Sequence, residues 1–154
     1  MNLKEHIRSI PDYPKKEILF RDITTLIKNE HAFIECINQI VKRSKNFKFN
    51  KISAIESRGF IFASAVSYIL KKPFVLLRKK NKLPAETHSI DFELEYGTAT
   101  MEVHKDSIDK DDTVLIIDDL IATGGTAEAA ASLIEMSKGK VAGFIFVINL
   151  YDLG

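Results

Sequence analysis

One pattern occurs twice in this chain, and it limits the possible folds more than any other feature. Ile52 to Ile55 is an apolar run. After it come the loop Glu56-Ser57-Arg58-Gly59, a stretch of small and apolar residues expected to be helical over about Phe60 to Leu70, and a second apolar run, Phe74 to Leu77. Thr113 to Ile117 (TVLII) is followed in the same way by the loop Asp118 to Gly125, a helix expected over about Thr126 to Met136, and the run Val141 to Leu150. Continuous Val/Ile/Leu runs are the signature of strands buried on both faces. Strand, loop, helix, strand is the βαβ unit that parallel pairing requires. The expected fold is therefore α/β, with a mostly parallel central sheet flanked by helices.

The remaining segments fit around these two units. Phe33, Ile34, Ile37, Ile40 and Val41 fall at helical spacing behind the turn-forming Asn29, and the basic residues Lys42, Arg43, Lys45, Lys48 and Lys51 follow as a solvated end. Cys36 lies beside that apolar stripe and reads as an inert core residue. Between the units, residues 79–97 are polar and interrupted by proline, which predicts a long mobile loop. Ala99, Met101 and Val103 then alternate with polar neighbours as a half-buried strand would. Loops above about 12–15 residues in a compact domain are usually functional or disordered.

At 154 residues the chain has the size of one domain spanning 1–154. Its 22 Lys plus Arg against 21 Asp plus Glu give a net charge of +1. That balance offers no electrostatic basis for binding nucleic acid or an anionic membrane. A single cysteine cannot close an intramolecular disulfide, and with His6, His31, His88 and His104 scattered it forms no zinc cluster, so a reducing, cytoplasmic setting is expected. The longest uncharged stretches, Gly59 to Leu70 and Val141 to Tyr151, have 12 and 11 residues. Both fall short of the ~18 needed to span a bilayer. The opening MNLKEHIRSI carries charges where a secretory signal needs an apolar core, so export is not expected.

VLIIDDLIATGGT (Val114 to Thr126) is the most informative segment. It puts two acids at the carboxyl end of a buried strand and a Thr-Gly-Gly-Thr turn at a helix N-terminus. Ligands of open α/β sheets bind at that edge. Unpaired N–H groups over Thr123 to Thr126, backed by the helix dipole and unobstructed by any Cβ on Gly124 or Gly125, form a phosphate cradle. Asp118 and Asp119 beside it could accept from vicinal hydroxyls, and together these features describe a ribose 5-phosphate site. The plainer alternative is an acidic turn capping a helix, although a cap needs only one acid. Neither GxxxxGK[ST] nor GxGxxG is present, which removes the main support for ATP-loop and nicotinamide readings.

This segment resembles the phosphoribosyl-pyrophosphate (PRPP) motif of the type I phosphoribosyltransferases. IPDYPKKEILFRDIT (Ile10 to Thr24), IESRGFIFA (Ile55 to Ala63), LRKKNKLPAET (Leu77 to Thr87), LEYG (Leu94 to Gly97) and DDLIATGGTAEAA (Asp118 to Ala130) are similar, in that order, to the adenine phosphoribosyltransferase family. The resemblance implies a type I fold with a small N-terminal hood over about residues 1–28 and a mobile catalytic loop over about 79–97. The implied reaction is Mg²⁺-dependent transfer of phosphoribose from PRPP to N9 of adenine, giving AMP and pyrophosphate, with the metal carried mainly by PRPP and a homodimer as the assembly. A different purine base such as hypoxanthine or xanthine, or a non-catalytic PRPP-sensing regulator, are the alternatives. A regulator that reads DNA would need a source of phosphate affinity, which a charge of +1 does not provide.

The resemblance also implies roles for individual residues. Asp118 and Asp119 would hold the ribose, and Ala122, Thr123, Gly124, Gly125 and Thr126 the 5-phosphate. Glu56, Ser57, Arg58 and Gly59 form the pyrophosphate loop, which in this family often holds a non-proline cis peptide, joined by Arg78, Lys79 and Lys82. Taken alone, Arg58 could equally be a surface ion-pair residue, and the lysines a solvated cluster. Leu19, Phe20, Arg21 and Leu150 would enclose adenine, Phe20 by stacking on its ring. Glu95, on the closing loop, would handle the purine proton as a catalytic residue with Arg58 and Asp118, and Tyr96 would help shut the lid against water. Glu95 could otherwise be a solvated acid and Phe20 an ordinary core residue. Related hypoxanthine-type enzymes carry an acid at the position of Ala122, so alanine there agrees with adenine. Asn81 and Ala85 stand where family members commonly have glycine, which is expected to stiffen the lid. Family members usually continue past the point matched by Asp152 to Gly154 into a closing strand.

Overall fold

A computed structural model describes residues 8–10, 20–94, 97–118 and 124–147. Two short strands, β1 (Arg8–Ile10) and β2 (Phe20–Asp22), pair antiparallel with Ile10 opposite Phe20 and form a small sheet of their own. Helices α1 (Thr24–Lys28) and α2 (Glu30–Ser44) meet at Asn29. Its backbone N–H closes α1 on Leu26 O, and its side chain accepts from Ala32 N at 2.9 Å to open α2. Glu30 in the first turn of α2 and Lys42 and Arg43 in the last complement the helix dipole.

The central sheet has six strands in the order β5-β6-β4-β3-β7-β8. Strands β3 (Lys51–Ile55), β4 (Phe74–Lys79), β7 (Thr113–Asp118) and β8 (Lys140–Phe146) are parallel neighbours. Helix α3 (Arg58–Leu70) links β3 to β4, and α4 (Gly124–Met136) links β7 to β8. These are the two βαβ units expected from the sequence. Both helices begin about two residues earlier than expected, and within the described residues β8 ends at Phe146.

Alternation along β7 divides the core. Leu115 and Ile117 join Ile52 and Ala54 of β3 under α2 and α3, around the fully buried Leu26, Ile40, Phe62 and Val66. Val114 and Ile116 face the other way, with Val75 and Leu77 of β4, onto Ala129, Ala130, Leu133 and Ile134 of α4. The buried face of α2 runs through Ala32, Cys36, Ile37 and Ile40, whereas Ile34 is 57% exposed. Gly143 is required where it stands, because a Cβ there would overlap the Phe47 ring.

Two expectations need correction. The stretch 79–97 is not one loop: β5 (Thr87–Leu94) pairs along its whole length with β6 (Gly97–His104), from Thr87 opposite His104 to Leu94 opposite Gly97. Among its described side chains Ile90 and Phe92 pack on the core while Ser89, Asp91 and Glu93 stay exposed, so its alternation is too thin to outweigh its polarity. Nor is Lys51 part of a solvated tail. Its side chain is 15% exposed, and the ammonium lies 2.7 Å from Asp112 Oδ2, with Ser107 O at 3.0 Å.

Asp112 also accepts from Asn50 Nδ2 and from Asp109 N, each at 2.7 Å, and Asn50 Oδ1 accepts from Thr113 N at 2.8 Å. Burial on its own would raise the Asp112 carboxyl, but the bonds from Lys51, Asn50 and Asp109 outweigh it and hold the group below the ordinary aspartate value. Burial likewise pulls Lys51 down, yet Asp112 and Asp109 leave it above the ordinary lysine value. This network joins the starts of β3 and β7 at the amino edge of the parallel sheet.

Candidate active site

The parallel strands place the chemistry at the opposite edge. From β3 the chain crosses through α3 to β4 on one side and adds β6 and β5 beyond it. It then places β7 on the other side of β3, with β8 outermost. Connections thus leave in opposite directions at the β3/β7 boundary, and ligands of open α/β sheets bind in the crevice outside the carboxyl ends at such a switch point. Ile55, Lys79 and Asp118, the last residues of β3, β4 and β7, all lie at this edge.

At the boundary itself Gly59 is buried in the first turn of α3. A Cβ on it would stand 2.7 Å from Asp118 Oδ1 and 3.3 Å from Ile117 O. The absent side chain lets the carboxylate lie against the start of the helix. Asp118 is 7% exposed, so it is an enclosed group held at the strand end. The peptide bond from Glu56 to Ser57 is cis, and Ser57 then occupies the N-cap of α3. The N–H groups of this first turn are the kind of donors that hold anions.

On the β4 side, Glu56 Oε1 accepts from Arg78 Nε at 3.2 Å and from the Lys79 backbone N–H at 2.6 Å. Lys82 follows in a turn closed by its N–H onto Lys79 O, and the side chains of Lys79 and Lys82 are exposed. Asn81 has φ +66° and its N–H donates to Glu102 Oε1 at 2.8 Å. This position needs the left-handed region, which asparagine tolerates better than most residues. Strand β6 joins β4 only at Arg78 opposite Glu102 and Lys79 opposite Met101, so the β5-β6 hairpin is attached at the basic end of β4.

Gly124, Gly125 and Thr126 form the first turn of α4, which follows β7 and packs back across the sheet, so its N-terminus opens at the same edge. Phe20 and Arg21 lie on β2 in the separate two-stranded sheet. Leu19, Glu95, Tyr96, Asp119, Ala122, Thr123 and Leu150 are outside the described residues. The edge thus unites Glu56 to Gly59, Arg78, Lys79, Lys82, Asp118 and the start of α4. The apposition of Gly59 to Asp118, and of Glu56 to Arg78, went unforeseen because nothing in a linear motif says which loops become neighbours.

The family profile described as "Phosphoribosyl transferase domain" matches residues 22–150. A Pelagibacter ubique protein named adenine phosphoribosyltransferase is 80% identical over all 154 residues, covering 88% of its own length. The chain belongs to the adenine phosphoribosyltransferase family. Solved structures in this family share its fold. That of adenine phosphoribosyltransferase from Thermoanaerobacter pseudethanolicus superposes with a TM-score of 0.90 at 48% identity, over 94% of this chain and 84% of that one. The Saccharomyces cerevisiae enzyme, complexed with an imino-altritol bisphosphate and adenine, gives 0.83 at 31% identity, over 97% and 89%. The six-stranded sheet flanked by helices is thus the type I phosphoribosyltransferase fold, and the chain is an enzyme of that class. Among the described residues no helix is long and apolar enough to cross a membrane.

Proposed function

We propose that this enzyme transfers phosphoribose from PRPP to N9 of adenine at the carboxyl edge between β3 and β7, forming AMP and pyrophosphate in purine salvage. The observation that carries this reading is the convergence there of an enclosed strand-end acid, a glycine-led helix start and a basic cluster. PRPP presents a ribose, a 5-phosphate and a pyrophosphate in the same arrangement. Asp118 and Asp119 hold the ribose hydroxyls. Ala122 to Thr126 cradle the 5-phosphate at the head of α4. Ser57, Arg58 and Gly59, with Arg78, Lys79 and Lys82, receive the pyrophosphate.

Catalysis is then positioning and electrostatics. The bond from C1 to pyrophosphate oxygen breaks with its electron pair leaving on pyrophosphate, N9 closes onto C1, and Glu95 takes the purine proton. The Asp118 carboxylate favours positive charge developing at C1, and Arg58 and the lysines stabilise the departing anion. Tyr96 and the β5-β6 hairpin close the site against water. Leu19, Phe20, Arg21 and Leu150 enclose the base.

Among the described residues no cluster of His, Cys, Asp and Glu could hold a metal ion by itself. The hard oxygen donor Asp118 at the strand end fits Mg²⁺ arriving on PRPP, since Mg²⁺ takes few carboxylates and prefers substrate phosphates. When bound, the ion neutralises pyrophosphate charge. The buried thiol of Cys36 agrees with a cytoplasmic setting. A homodimer is supported by the outer face of α3, where Ile61 and Ile69 are exposed and Tyr68 is 85% exposed.

Incubation with PRPP and Mg²⁺ plus adenine, hypoxanthine or guanine, following pyrophosphate release, tests the reading. Adenine should be preferred by ~10⁴ or more, because a base edge of the wrong hydrogen-bonding sense leaves buried polar groups unpaired. Comparable turnover of hypoxanthine would overturn the base assignment and leave the PRPP site standing.

A further inference from the structure

A carboxylate stands inside the basic cluster at the end of β4. Glu56 Oε1 accepts from Arg78 Nε and from the Lys79 N–H, and the Glu56 N–H donates to Leu77 O at 3.0 Å, so loop and strand are tied through both backbone and side chain. The Glu56 side chain is only 11% exposed. An ionised carboxylate has nothing to donate to pyrophosphate and repels it. A guanidinium gripped at Nε, however, keeps its four Nη donors, and a planar fork held along one edge presents the other in a fixed direction.

We propose that Glu56 is a positioning residue: it aims the Arg78 guanidinium and fixes the end of β4 to the loop that opens α3, so that the pyrophosphate of PRPP meets donors already oriented. This rests on the reading of that edge as the PRPP site. It makes a prediction of opposite sign to simple electrostatics. Deleting a negative charge beside an anion site should tighten anion binding if charge alone matters, and weaken it if orientation does.

The test is steady-state kinetics with inorganic pyrophosphate as product inhibitor, on the native chain, Glu56→Ala, Glu56→Gln, Arg78→Ala and the Glu56→Ala/Arg78→Ala double variant. Glu56→Ala should raise the pyrophosphate inhibition constant and the PRPP KM about tenfold, the scale of one charge-assisted hydrogen bond, with the adenine KM unchanged. Glu56→Gln retains an acceptor oxygen and should stay close to native. The losses should be less than additive in the double variant, because the part of Glu56 that acts through Arg78 is already gone, which a role independent of Arg78 would not produce. Tighter pyrophosphate binding by Glu56→Ala, or additive losses in the double variant, would overturn the proposal. If Glu56→Ala does not fold, Glu56→Asp is read in its place, since it is one methylene too short to reach both donors. Indifference of pyrophosphate binding to Arg78→Ala would instead show that the site reading itself is wrong.

Discussion

One apposition at the site depends on an atom that is not there. Gly59 leaves room for Asp118 Oδ1, and a Cβ would come within 2.7 Å of it with backbone oxygen 3.3 Å behind. Gly59→Ala therefore moves the enclosed carboxylate rather than a flexible surface group. We expect kcat/KM for PRPP to fall by about 10²-fold, the penalty of displacing a reacting-centre contact by around an ångström. The far-ultraviolet circular dichroism should stay native, and native PRPP kinetics would exclude the contact from the site. The glycine and Asp118 were legible in the sequence as a loop and a strand end. Their meeting was not, because β3 and β7 are adjacent only through sheet order, and about sixty residues separate the two positions along the chain.

Each strand edge has its own task. The carboxyl ends of β3, β4 and β7 carry the candidate chemistry, while their amino ends are fastened by Lys51, Asp112 and Asn50. Asp112→Asn should lower stability by about 3 kcal/mol at neutral pH, as expected when one partner of an enclosed ion pair is removed, measured by urea unfolding. Asp112 titrates below the ordinary aspartate value, so its contribution is complete above that value and is lost as pH falls through the lowered one. The stability gap between native and variant should therefore close on acidification, and a gap that persists at low pH would assign the network another role. Lys51 reads in sequence as the last of a basic run, because its partner lies far along the chain. Strand β5 was hidden for a related reason: an edge strand in a hairpin needs only a thin apolar face, which among the described side chains Ile90 and Phe92 supply. The two βαβ units, buried on both faces, were legible throughout.

At the scale of the whole molecule, the order β5-β6-β4-β3-β7-β8 creates one switch point, and the fold gathers the starts of α3 and α4 and the basic end of β4 there. Family resemblance supplied the chemistry of that edge, whereas topology supplies the reason it is assembled at β3 and β7. Amide hydrogen exchange of the native chain, with and without PRPP and Mg²⁺, tests this placement most directly. PRPP should slow exchange in segments covering residues 56–60, 78–82 and 124–127, and leave residues 50–52 and 109–113 at the opposite edge unchanged. Protection confined to the amino edge or to the polar face of α2, with none at the starts of α3 and α4, would contradict the account.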